Sequence, residues 1–145
     1  MKLWGEEHGD TLTAAYNYAR SLLVLGRFEE AKSLLRKTIS VAQRVLGVST
    51  DTTLRMRWIY ANALYADDDA TLDDLHEAVT TLEEIEPTAR RVLGGAHPLT
   101  GQIENALQSA RAALRAREGA VESLREAVAA MMPGDAQGEV LAPTA

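Results

Sequence analysis

The chain has 145 residues, 46% hydrophobic and 25% charged, with 15 basic and 21 acidic side chains, a formal net charge of −6 and no cysteine. That is the profile of an ordinary globular domain, and it excludes disulfides, thiolate nucleophiles and cysteine-based zinc sites. The acidic balance argues against a nucleic-acid or anionic-membrane partner, either of which calls for a basic face. Aromatics are only 5%, and Ala and Leu dominate the apolar set, which favours helices over strands. Acidic residues at Glu6 and Glu7 precede any apolar run, so no secretory leader is read, and no stretch approaches the ~20 apolar residues of a membrane span. A cytoplasmic protein without membrane insertion is expected.

A repeat organises the chain. Gly5–Leu12 (GEEHGDTL), Gly47–Leu54 (GVSTDTTL) and Gly94–Gly101 (GGAHPLTG) each begin with Gly, pass through a short polar turn and include Thr; the first two glycines stand 42 residues apart and the next two 47. Gly47 and Gly94 follow Arg-Val-Leu and suit a helix end, because glycine enters the left-handed conformation cheaply. Asp10, Thr11, Thr50, Asp51 and Thr100 offer side-chain oxygens to the N–H groups of the following helix, and Pro98 suits a first helical turn.

In the first unit, Leu12, Ala15, Tyr18, Ala19, Leu22 and Leu25 fall at helical spacing; Gly26-Arg27-Phe28 interrupts, and a second helical run carries Ala31 through Leu46. Each unit thus reads as an αα-hairpin that must stack on its neighbour to close a core. The second unit repeats this, with a first helix over about 52–66 and a second carrying Leu75, Ala78 and Leu82. Its extra residues lie in the turn Ala66-Asp67-Asp68-Asp69-Ala70-Thr71. Pro87 predicts a kink or break near 85–87. The third unit is degenerate: Ile103, Leu107, Ala110, Leu114, Val121, Leu124 and Val128 predict helix to about Met132, with Gly119 either a turn or a tolerated interruption. The expected domain is 1–132, in units of about 5–46, 47–93 and 94–132, followed by a flexible tail over 133–145 that starts at Pro133-Gly134.

These features resemble the long tetratricopeptide repeat of kinesin light chains and related proteins. The matching residues are Leu46-Gly47, Leu93-Gly94, His8–Leu12, His97-Pro98, Asn17 and Gly26-Arg27-Phe28-Glu29-Glu30-Ala31. The second unit lacks the His-Pro and Gly-x-aromatic elements, and the third matches only at its start. The resemblance implies an all-α superhelix of stacked antiparallel hairpins, about two and a half repeats, with first helices lining a concave face. Carried over by position, that face holds Thr13, Tyr16, Arg20, Leu23 and Val24, then Arg55, Trp58, Asn62, Tyr65 and Ala66, then Gln102, Asn105 and Ser109. The candidate protein-binding residues are Tyr16, Arg20, Leu23, Arg55, Trp58, Asn62, Tyr65 and Asn105.

The residue types are coherent with that role. Tyr16, Arg20 and Leu23 share one helical face and Trp58, Asn62 and Tyr65 another. Tyr, Trp and Arg commonly anchor interfaces, though Trp58 and Tyr65 also suit padding between helices. Arg20 and Arg55 suit an acidic side chain or a terminal carboxylate, and Asn62 a peptide backbone. Catalytic chemistry finds little footing. His8 and His97 occupy matching turn positions. His76-Glu77 is followed by Thr80 where a zinc-protease pair needs histidine. Asp67–Asp69 with Asp73, Asp74 and Glu77 lacks the spacing of a calcium loop and reads as a solvated turn. The C-terminal arginines alternate with glutamates, the pattern of an ion-paired surface. The expectation is a non-catalytic protein- or peptide-binding module without cofactor or metal; the alternative is a structural subunit that self-associates into a homo-oligomer or larger assembly, because a short array leaves apolar ends exposed.

Overall fold

The computed structural model describes residues 4–132, with side chains from Gly9 onward. Helices α1 (Trp4–Val24), α2 (Phe28–Val45), α3 (Asp51–Tyr65), α4 (Leu72–Leu93) and α5 (Pro98–Met131) follow one another with short connections. Among the described residues there is no strand, and no helix is long and apolar enough to cross a membrane. The fold is all-α, as the Ala- and Leu-rich composition predicts. The expected tail, 133–145, lies outside the described residues.

Each helix packs on the next, and α3 also touches α1 and α5. The odd-numbered helices therefore share one layer, with α2 and α4 behind it. This is a helical-repeat arrangement of antiparallel pairs with α3 at its centre. Accordingly α3 is buried on nearly every side: Thr53, Leu54, Met56, Ile59, Tyr60, Ala61, Ala63 and Leu64 are all withdrawn from solvent. Its buried positions cover both flanks and the back of the helix, leaving one face with Asp51 and Arg55 open, whereas its neighbours need only one apolar stripe. Small side chains at the crossings (Ala19, Ala42, Ala61, Ala78, Ala89 and Ala110, none with any exposure) let the helices approach closely.

The repeat boundaries have a common lock. Gly47 and Gly94 carry φ of 97° and 96°, a conformation L-residues avoid. Six residues beyond each, a buried threonine hydroxyl donates to the glycine carbonyl: Thr53 Oγ1 to Gly47 O and Thr100 Oγ1 to Gly94 O, both 2.8 Å. Each bond ties the start of one helix to the end of the last. The caps differ between the two boundaries. Thr50 Oγ1 accepts from the Thr53 N–H, as expected. At α5 the cap is His97, whose Nδ1 accepts from the Leu99 N–H at 3.0 Å, with Pro98 at the first helical position. Thr100 is thus not the cap but the lock, and Asp51 sits inside α3 receiving Arg55.

Other expectations need correction. His8, Asp10 and Thr11 lie within α1, not in a turn before it. Thr11 stands in register with Thr53 but is exposed, because α1 runs unbroken from Trp4 through Thr11 and Gly5 does not end a helix. Tyr18 and Leu25, read as core, are 57% and 67% exposed, because α1 is the first of the described helices and their edge faces away from α2 and α3. Helix α4 is continuous through Pro87. Pro87 and Glu83, whose carbonyl the missing N–H would have bonded, are both exposed residues, so the proline stands on the side of the helix away from the core. Gly119 lies inside one 34-residue helix, so the third unit is a single helix.

Behind α3, a polar network joins α2, α3 and α4. Arg36 Nε donates to Tyr60 Oη at 3.1 Å, and Tyr60 donates to Glu77 Oε2 at 2.6 Å. Burial, reinforced by the Glu77 bond, raises the Tyr60 phenol pKa; the Tyr60 bond in turn raises that of Arg36. Close by, the buried Lys32 ammonium lies 2.7 Å from Glu29 and 3.8 Å from Asp74. Asp74 also completes a capping box with Thr71 at the start of α4. Burial works against its charge, but the Thr71 hydrogen bonds and Lys32 together outweigh it and lower the Asp74 pKa.

Replacing Thr53 or Thr100 by Val keeps shape and removes the hydroxyl, and should lower stability by about 1 kcal/mol each, while Thr11→Val should be neutral; urea denaturation of the three variants reads this. Because the folded pKa of Asp74 is depressed, its contribution is complete above the unfolded value of about 4 and is lost as pH falls through the folded value. The melting temperature of Asp74→Asn should therefore lie below wild type at pH 7, with the gap shrinking at pH 2–3.

Candidate protein-binding face

The layer formed by α1, α3 and α5 carries the candidate residues, and the structure distributes them unevenly. Tyr16, Arg20 and Arg55 come together. With Thr13, Asn17 and Thr52 they line a cleft of about 300 Å³ between α1 and α3. The Arg20 guanidinium carbon lies 5.8 Å from the centre of the Tyr16 ring, a cation–π distance. Arg55 is steadied by Asp51, one helical turn earlier, whose Oδ1 accepts from Nε at 2.8 Å. The cleft thus offers two guanidinium groups, an aromatic face and three small polar side chains.

A second depression of about 550 Å³ borders the first at Asn17 and Arg20 and continues along the end of α1 over Ser21, Val24 and Leu25. Val24 is 87% exposed there. Leu23 is turned the other way, half-buried against the core.

Further along the layer the candidates serve packing more than access. Trp58 and Tyr65 are half-buried and packed on the main core, the padding role their size also allowed. Burial pushes the Tyr65 phenol pKa up, against a hydrogen bond with Ser109 of α5 that lowers it. Tyr65 also borders a separate cavity of about 320 Å³ at the α3–α4 turn, with Asp67, Asp68, Leu75 and Arg117 among its walls. The Asn62 side-chain oxygen is buried without a hydrogen-bond partner. Asn105 is exposed on α5.

Sequence reasoning missed Thr52 as a wall of the cleft. The signal was available: Thr52 precedes Arg55 by three residues and so shares its helical face. It was read only as the start of the second unit's first helix. The acidic turn holds itself by internal bonds, with the Asp69 N–H donating to Asp67 Oδ1 at 2.9 Å and the Ala70 N–H to Asp67 O at 3.0 Å.

Packing and access predict separable mutational effects. Trp58→Ala should cost about 2 kcal/mol, since a half-buried indole leaves a cavity in the core. Arg20→Ala should stay within about 0.5 kcal/mol of wild type, as an exposed substitution. Chemical denaturation distinguishes the two, and equal losses would contradict this assignment of roles.

Comparison of the chain with protein-family profiles, with curated proteins and with solved structures gives no match.

Proposed function

We propose that this protein is a non-catalytic interaction module of the tetratricopeptide type, which takes an extended, acidic protein segment across the α1–α3 side of its first-helix layer. The observation that carries the reading is the cleft in which Tyr16, Arg20 and Arg55 converge. Guanidinium groups bond carboxylates through paired N–H donors, and such charge-assisted bonds are stronger than neutral ones. Tyr16 adds a rigid aromatic surface, the kind of residue that anchors interfaces. The repeat period, the glycine boundaries and the alternation of helices between two layers support the family resemblance. In this reading Trp58 and Tyr65 set the floor of the layer, while Arg20 and Arg55 confer selectivity for negative charge.

A displayed library of random peptides tests the proposal, with enriched sequences re-measured by calorimetry against wild type and an Arg20→Ala, Arg55→Ala double variant. Enrichment of Asp- and Glu-containing peptides is expected, with affinity at least ~10-fold weaker in the variant, from the loss of charge-assisted bonds. Binding should also weaken with added salt. Enrichment of peptides without acidic residues, or equal binding by both proteins, would overturn it.

A further inference from the structure

The cleft that holds Arg20 and Arg55 continues into the depression under Val24 and Leu25, whose side chains are both largely exposed. A segment that fits the two together needs carboxylates followed by apolar side chains. The chain's own sequence contains one, outside the described residues. The stretch 133–145 carries Asp135 and Glu139, then Val140 and Leu141, and no basic residue. Its Pro133, Gly134, Gly138 and Pro143 are the residue types that most oppose helix formation.

We propose that the stretch 133–145 of one copy occupies the α1–α3 cleft of a second copy. The inference rests on the reading of that cleft as a site for acidic segments, and names the segment. Asp135 and Glu139 fall on the same side of an extended chain, about 13 Å apart, and address the arginines of the two walls in turn: Asp135 meets Arg55 of α3 and Glu139 meets Arg20 of α1. Val140 and Leu141 then run on toward Val24 and Leu25. Charge-assisted bonds hold the acidic part, and apolar contact holds the rest.

Reach decides that the segment comes from another copy. Tyr65, at the end of α3, bonds with Ser109 of α5, and farther along α5 Arg117 reaches the Ala70 carbonyl beyond α3. The two helices therefore run the same way. From the level of Tyr65, Met131 lies about 33 Å ahead, and Arg55 about 15 Å behind. Drawn out fully, the chain from Met131 to Glu139 spans at most about 29 Å, far short of its own cleft. A second copy has no such restriction, and reciprocal exchange closes a two-fold pair in which each cleft is filled by the other's segment. Self-association and the binding of an acidic partner then compete for one site.

Sedimentation equilibrium of the full chain, from micromolar to about millimolar concentration, tests this with two variants: Arg20→Ala with Arg55→Ala, and Asp135→Asn with Glu139→Gln. The wild type should associate reversibly. Each variant alone should associate at least ~10-fold more weakly, with its circular-dichroism spectrum retained. An equimolar mixture of the two should associate more tightly than either alone, because one keeps the segment and the other keeps the cleft. A wild type that stays monomeric, association that survives either pair of substitutions, or a mixture no better than its components overturns the proposal. The peptide library separates this failure from that of the cleft: if acidic library peptides bind while the chain stays monomeric, the exchange alone is wrong, and if none binds, the cleft is not a site for acidic segments.

Discussion

At Gly47 and again at Gly94 the backbone turns with positive φ, and a buried threonine six residues later reaches back to the glycine carbonyl. That return is the constraint on which the molecule depends. It fixes where each helix pair begins relative to the last, and so brings α3 against α1 and α5 against α3. None of these helices could bury its apolar stripe alone. Held in this register, they share one core around α3, whose residues are buried on almost every side.

Much of the fold was legible in the sequence because it is written in local signals: glycine at helix ends, threonine and proline at helix starts, and apolar residues at helical spacing. The expectations that failed depended on what lies next to a helix, which a repeat pattern does not report. Tyr18 and Tyr60 are 42 residues apart and look equivalent. Tyr60 is buried where α3 meets α2 and α4 and is held by Arg36 and Glu77, whereas Tyr18 sits on the first of the described helices, on an edge turned away from α2 and α3, and is exposed. Thr11 and Thr53 differ because α1 runs unbroken through Thr11, whereas a helix end at Gly47 precedes Thr53. Pro87 was misread because its effect depends on the side it occupies, and here it stands on the exposed side of α4.

The candidate face was legible in part. Arg20, Tyr16 and Arg55 were placed on the face by the family resemblance, with chemistry and helical phase in agreement, and they share a cleft. Trp58, Tyr65 and Asn62 satisfied the same criteria, yet their side chains are drawn into the layer, since α3 has neighbours on both sides and leaves little of its surface free. The outer network of Arg36, Tyr60, Glu77, Lys32 and Asp74 left no signature in sequence, because its members come from three helices and meet only through packing. It closes the back of the core with polar groups, leaving the α1–α3 side and the projecting end of α5 as distinct surfaces.

The central claim is that the helix pairs form one cooperative unit built around α3, rather than hairpins that fold separately. Native-state hydrogen exchange, followed residue by residue with increasing denaturant, tests this most directly. The account predicts that the slowest amides lie in α3 and that those of α2, α3 and α4 converge on a single opening free energy equal to global stability, with the far end of α5 opening more easily. If the α1–α2 pair exchanges through its own lower-energy opening while α3 and α4 stay protected, the pairs are independent and the shared-core account is wrong.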